Sequence, residues 1–253
     1  TIAWTSHAST PTGPQPHSSV VLTLMKNITS ATNVPVCDAD ICIVGAGTIG
    51  TIIARDSASC GFSSVILEKQ LFIGGVWAMN DYPGLRLQFS GATYRCLSHA
   101  PRWTREGPGK DDKCYRPTGQ EVLLYIHEMA GDELISVRTG TSYLHHTKAN
   151  SVFTVSTSQG FITTRALVFA PGAHETTAGA PHWPISPSDI TNGACIMHSS
   201  SLEGYKSRFF GSKKKYVVGA SKAAIDILQM FDPEDEDIVW AHRGHIIFHN
   251  RDR

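Results

Sequence analysis

Two glycine clusters in this 253-residue chain could do chemistry. The first is Gly45-Ala46-Gly47-Thr48-Ile49-Gly50, followed by the acid Glu68 at the spacing of roughly 20 residues expected for a ribose acceptor. Gly45 allows a tight turn, Gly47 lets the backbone approach a pyrophosphate, and Gly50 lets a helix pack close to a sheet. Free N–H groups and the positive dipole end at that helix start suit phosphate. A glycine turn that only packs a helix is the weaker reading, because strand, glycines, helix, strand and acid come in order. The second cluster, Gly219-Ala220-Ser221-Lys222-Ala223-Ala224, repeats the same logic. Two such units in one chain are the most informative feature of the sequence.

Gly74-Gly75-Val76-Trp77 is a third stretch of interest, with Tyr82-Pro83-Gly84-Leu85-Arg86-Leu87-Gln88 after it. Paired glycines permit close backbone approach, and an indole offers a flat packing surface. An ordinary turn beside a core tryptophan explains these residues equally well. His242, His245 and His249 are close in sequence. In an extended chain His242 and His245 face opposite sides, and no cysteine or carboxylate completes a tetrahedral set, so no metal site is expected. Ser199 and Ser200 lack a nucleophile-elbow context.

The elements that must position these residues follow from pattern. Asp40–Val44 and Ser64–Leu67 read as buried strands flanking a helix that starts near Thr48 and is capped by Gly61. Residues 99–117 read as a polar loop, with Asp111 and Asp112 solvated. Thr118 is an N-cap for a helix to Ala130. Ile135–Tyr143, Val152–Ser156 and Phe161–Thr164 read as a small antiparallel meander laid on the first unit, with His145 and His146 exposed at a strand end. Ala166–Ala170 is a further buried strand ending at Pro171-Gly172, and residues 173–193 read as a linker. Tyr216–Gly219, a helix through Phe231, an acidic turn at 233–237 and a strand at 237–241 complete the second unit.

Lysine plus arginine and aspartate plus glutamate number 22 each, which gives no support for nucleic-acid binding. No apolar run is long enough for a stable membrane span. Six cysteines without a C-x-x-C pair read as reduced thiols, Cys42 and Cys60 among them buried, in a cytoplasmic protein. Residues 1–36, rich in Pro, Ser and Thr, read as an N-terminal arm without a signal peptide.

The ordered motifs resemble the flavin-containing monooxygenases, especially fungal members that decorate secondary metabolites. The resemblance covers about residues 38–250. It rests on the first glycine cluster with Glu68, G-G-V-W at 74–77, Y-P-G-L-R-L-Q at 82–88, F-A-P-G at 169–172, M-H-S-S at 197–200, V-V-G-A-S-K-A-A-I-D at 217–226 and W-A-H-R at 240–243. It implies an α/β fold: a Rossmann-like, three-layer ββα domain for FAD at 37–180, a small antiparallel meander, and an incomplete β-α-β unit for NADPH at 181–253. It also implies that Gly45, Gly47, Thr48, Ile49 and Gly50 hold the FAD pyrophosphate. Glu68, with Lys69 beside it, would meet the ribose. Gly75, Val76, Trp77, Leu87, Gln88, Ala170 and Gly172 would lie near the flavin. Gly219, Ser221, Lys222 and Ala224 would form the NADPH phosphate turn, and Arg243 would face the 2′-phosphate, which suits its planar charged fork. Gln88 and His99 are the candidates for contact with substrate or for proton transfer, although an ordinary surface-loop histidine is the stronger reading of His99. The activity implied places one oxygen atom on a soft nucleophile or a ketone of a small lipophilic natural product.

The chain departs from the family pattern at Pro171, where threonine is usual, at Ser221 in place of a glycine, and at Asn192, Ala194 and Leu202 around His198. Its length corresponds to roughly half of a standard member. Two rivals therefore stay open: a flavin-fold enzyme of non-redox cyclisation or isomerisation, and one subunit of a split oxidoreductase. A homo-oligomer or a complementing subunit is the partner expected besides the small-molecule substrate.

Overall fold

The computed structural model describes residues 36–80, 82–172, 196–231 and 237–244. Residues 1–35 of the expected arm, the linker at 173–193, most of the acidic turn, His245 and His249 lie outside the described residues.

The β-branched run of the first strand becomes β1 (Ala39–Val44). Its Ile41, Cys42 and Ile43 have no solvent exposure, as expected of a strand covered on both faces. α1 (Thr48–Ala58) follows, then β2 (Ser64–Leu67), which pairs in parallel with β1. The short α2 (Val76–Met79) and α3 (Arg102–Arg105) precede α4 (Gly119–Ala130). α4 starts as its sequence demands: the Glu121 N–H donates to Thr118 Oγ1 (3.2 Å), and the Thr118 N–H donates to Glu121 Oε2 (2.7 Å). This reciprocal box satisfies two otherwise orphaned donors.

The stretch expected as one meander strand, Ile135–Tyr143, is broken. β3 (Ile135–Arg138) runs parallel to β2, and Gly140, at φ +62°, turns the chain before β4 (Tyr143–Ala149) begins. β5 (Val152–Thr157) and β6 (Gly160–Phe169) complete the sheet. The two strands expected at 161–164 and 166–170 are thus one. Thr164 pairs with Phe153 on one side and with Ala39 on the other, so β6 is antiparallel to β5 and parallel to β1. The resulting sheet has the order β3-β2-β1-β6-β5-β4.

Both faces of the parallel part are covered. Ile41, Ile43, Ile66 and Ala166 pack against Ala54 and Ala58 of α1 and Val122, Tyr125, Ile126 and Met129 of α4. Cys42, Val65 and Leu67 pack against Val155 and Ile162 of the meander. Helices, parallel strands and meander are the three layers expected. Cys60, expected in the core, is only half-buried at the end of α1.

α5 (Leu202–Gly211) leads to β7 (Lys215–Val218), α6 (Lys222–Leu228) and β8 (Ile238–Ala241), with β7 and β8 parallel. Tyr82, from the loop after α2, is buried in this second core with Leu202, Val217, Ala224 and Ile227.

Two expectations follow. A methyl group at Gly50 would lie 2.0 Å from the Gly45 carbonyl oxygen, whereas one at Gly211 meets open space. Gly50→Ala should therefore cost ~2 kcal/mol or more, and Gly211→Ala less than ~0.5 kcal/mol, in urea unfolding. Burial pushes the Cys42 thiol up to about 12 and the Cys96 thiol up to about 11, from an ordinary 9.0. A raised pKa favours the neutral thiol in the fold, so this contribution is complete below pH 9.0 and is lost as pH rises through the folded values. The thermal midpoint should decline above pH 9.0 towards pH 11, and a midpoint that stays level across that window would contradict this account.

Candidate functional site

The strand order places β1 between β2, reached through α1, and β6, reached much later in the chain. The chain thus leaves β1 and β6 in the place where the order reverses, the position at which parallel α/β sheets bind ligands. Both carboxyl ends carry glycine. The Ala170 N–H donates to the Val44 carbonyl (2.8 Å), which sets residues 170–172 beside the turn at Gly45. Gly45 has φ +105°, and a methyl group there would sit 2.3 Å from the Ala170 oxygen. Only glycine suits both demands.

A third glycine pair closes the ring. The Gly74 N–H donates to the Ala46 carbonyl (2.9 Å), and a methyl group on Gly75 would lie 3.1 Å from Gly47 Cα. Glu68, 8% exposed, sits at the end of β2. Its Oε2 accepts from the Ala46 N–H and its Oε1 from the Gln70 N–H, both at 2.9 Å. Each carboxylate oxygen accepts further bonds, so capacity for hydroxyl donors is left.

α1 begins at this convergence without a side-chain cap on Gly47 and without an acid in its first turn. Its orphan N–H groups and dipole thus have no anion supplied by the helix itself. Ile49 and Val76, both apolar, are exposed at its rim. The expected residues Gly45, Gly47, Thr48, Ile49, Gly50, Glu68, Gly75 and Ala170 are therefore brought together here. Lys69 and Gly172 are exposed beside them.

Trp77 is half-buried, and its indole N–H donates to Tyr94 Oη (2.8 Å). The same oxygen lies 2.6 Å from Thr48 Oγ1. Burial holds the Tyr94 phenol above its ordinary pKa, so it is protonated. Sequence reading passed over Tyr94, because nothing local marks a tyrosine whose partners lie 46 and 17 residues away. Leu87 is buried, its N–H on the Pro117 carbonyl (2.9 Å), while Gln88 is exposed. Trp77 also lines a cavity of about 640 Å³, with Tyr82, Leu85, Leu123, Arg86, Gln120 and Lys206 among its other walls.

The structure places His99 elsewhere. Its ring stacks on Tyr125 (5.9 Å, 10°), its carbonyl accepts from Tyr125 Oη (2.6 Å), and Nε2 lies 3.7 Å from Glu128 Oε2. These contacts belong to the second half of α4. Nearby, buried Asp56 accepts from Cys96 Sγ (2.9 Å) and from Ser98 Oγ (2.8 Å), which ties this loop to α1.

In the second unit, Gly219 (φ +116°) donates its N–H to the Ala241 carbonyl (2.8 Å) and accepts from Trp240 Nε1 (2.7 Å). Ser221 is the N-cap of α6, and Ala224 is buried behind it. Arg243 is exposed after β8. Lys222 is hydrogen-bonded to Asp226, which also accepts from Tyr82 Oη (3.2 Å).

The Arabidopsis thaliana protein named flavin-containing monooxygenase FMO GS-OX-like 2 is 30% identical over 115 residues, 38% of this chain and 25% of that protein. An uncharacterized oxidoreductase, CzcO-like, of Geobacillus kaustophilus is 24% identical over 209 residues, 81% of this chain and 54% of that one. Among solved structures, a flavin monooxygenase from Stenotrophomonas maltophilia superposes with TM-score 0.60 at 20% identity, over 85% of this chain and 60% of that one. A complex of OTEMO with FAD and NADP superposes with TM-score 0.59 at 20% identity, over 83% and 39%. The chain thus spans from a quarter to about half the length of these two curated relatives. The family model described as pyridine nucleotide-disulphide oxidoreductase matches residues 42–253, and the chain belongs to that family.

Proposed function

We propose that this chain supplies the dinucleotide sites of an FAD- and NADPH-dependent monooxygenase acting on a small lipophilic natural product. One observation carries the reading. At the switch point between β1 and β6, a helix start without a cap of its own meets the Glu68 carboxylate and two glycine turns, at Gly45–Gly50 and Gly74-Gly75, whose backbones approach their neighbours without an intervening Cβ. A diphosphate joined to a ribose answers both features, the phosphate at the helix and the hydroxyls at the acid.

Bound there, FAD would take a hydride from NADPH and activate oxygen. The chain's own part is binding, orientation and exclusion of water. The first-turn N–H groups of Thr48 and Ile49 hold the pyrophosphate. Gly47 and Gly75 leave room for it, and Glu68 accepts the ribose hydroxyls. Trp77, Val76, Leu87, Gln88, Ala170 and Gly172 flank the flavin. Gly219, Ser221 and Ala224 receive NADPH, and Arg243 its 2′-phosphate. Because Lys222 is committed to Asp226, Arg243 carries most of that charge. The cavity beside Trp77 lies within the range of small-molecule sites, with apolar and polar walls.

One observation supports a second reading, in which further polypeptide completes the NADPH unit. Tyr216, Val218 and Val239 are exposed on the outer face of β7 and β8, whereas parallel sheets are ordinarily covered on both faces.

Anaerobic titration of the purified protein with NADPH separates these readings. Bleaching of the oxidised-flavin band supports the monooxygenase; bound flavin that stays oxidised sinks it for this chain alone and favours a complementing polypeptide or non-redox chemistry. Glu68→Ala should weaken FAD about ten- to hundredfold in a fluorescence-quenching titration, because a charged acceptor is lost. Glu68→Gln, which keeps one acceptor oxygen, should fall between it and the parent.

A further inference from the structure

We infer that Tyr94 is a positioning residue of the cofactor site: its phenol fixes the Thr48 hydroxyl and the Trp77 indole together, and aims the Thr48 proton at the phosphate. The inference rests on the FAD reading above and adds a residue outside the glycine motifs.

The direction of the hydrogen bonds carries the argument. An indole N–H is a donor only, so at 2.8 Å the Tyr94 oxygen must accept from Trp77. The phenol proton then needs an acceptor, and Thr48 Oγ1 stands 2.6 Å away. A phenol is a stronger acid than an aliphatic alcohol, so in this pair Tyr94 donates and Thr48 accepts. The Thr48 hydroxyl proton is thereby freed for another partner. Thr48 is the first residue of α1, directly after Gly47, where the helix start lacks a cap. Its hydroxyl therefore joins the backbone N–H groups as a donor to an anion.

The same phenol ties the two walls together. Trp77 and Tyr94 rings meet edge to face at 6.1 Å and 77°. With both the ring contact and the N–H bond in place, the indole cannot rotate without abandoning a partly buried donor. One side chain thus sets the phosphate end and the indole end of the site in fixed relation. Preorganisation of this kind raises affinity by removing the ordering that binding would otherwise require.

The test is FAD affinity, read by fluorescence quenching on apoprotein, for Tyr94→Phe, Thr48→Val, the double variant and Thr48→Ser. Tyr94→Phe keeps the ring and its packing. It should weaken FAD by about tenfold, Thr48→Val should match it, and the double variant should be no weaker than either. Thr48→Ser, which keeps the hydroxyl, should bind like the parent. Trp77 emission in apo Tyr94→Phe should shift, since the indole N–H has lost its partner. Parent-like FAD affinity in Tyr94→Phe, or losses that multiply in the double variant, would overturn the role of Tyr94 while leaving the FAD site standing. A parent chain that takes up no FAD would bring down the dinucleotide reading and this inference with it.

Discussion

Backbone meeting backbone without an intervening Cβ is the constraint on which the rest of this structure depends. Gly45 lies against the Ala170 carbonyl, Gly50 against the Gly45 carbonyl, and Gly75 against Gly47. Each contact joins a different pair of elements. The first seats β6 beside the turn leaving β1, the second sets α1 on the sheet, and the third brings in the loop that carries Trp77. A methyl group at any of these places meets backbone, which cannot swing aside as a flexible side chain can. Core packing of Ile41, Ile43 and Ile66 supplies the bulk of the driving force, but it does not specify where the three turns meet. The glycines do.

The two long helices of the first unit show how that specification turns into function. α4 is closed at its start by its own Thr118 and Glu121. Such a cap is worth ~1 kcal/mol. α1 has no equivalent, and its start opens where the two glycine turns and the end of β6 converge. Both helices lie in one core, so solvent exposure alone does not explain the difference. A glycine N-cap forgoes only roughly a few tenths of a kcal/mol relative to a side-chain cap, and it leaves the first donors of α1 without a side-chain partner.

The first β-α-β unit was legible because its signals are local. A β-branched run, three glycines and a second apolar run fix β1, α1 and β2 within a few dozen residues, and Thr118 with Glu121 marks the start of α4. Pairing partners were less legible. Ile135–Arg138 has strand character, but nothing in its pattern says that it joins β2 rather than the meander, and the break falls at Gly140, whose positive φ the sequence permits without demanding. The continuity of β6 was hidden for a related reason: one strand changes neighbours at Thr164, so its two halves look like separate pieces. Tyr94 was invisible altogether. Its importance lies in two hydrogen bonds across long loops, and a tyrosine among polar residues carries no sign of that. His99 was singled out by its neighbours in sequence, whereas its packing is decided by Tyr125 and Glu128 of α4.

Tyr82 joins the halves that the sequence separates. It follows the Trp77 loop of the first unit, yet its ring is buried among Leu202, Val217, Ala224 and Ile227 of the second. Its hydroxyl donates to Asp226, the same carboxylate that holds Lys222. Burial and the adjacent Asp226 charge both push the Tyr82 phenol upward, which keeps it a donor. An ion pair shielded in this way is costly to leave with a partner missing. The loop that carries Trp77 is therefore anchored in the helix that follows the second glycine turn. Tyr82 and Leu85 of that loop also line the cavity beside Trp77, and Lys206 of α5 reaches it from the second unit. Tyr82 packs against α6 and bonds its Asp226, and Trp77 is bound to Tyr94 and, through it, to the start of α1. Tyr94 thus holds Trp77 to Thr48 of the first glycine turn, and Tyr82, a few residues on from Trp77, is held by Asp226 of the helix after the second, although the sequence sets the two turns more than 170 residues apart.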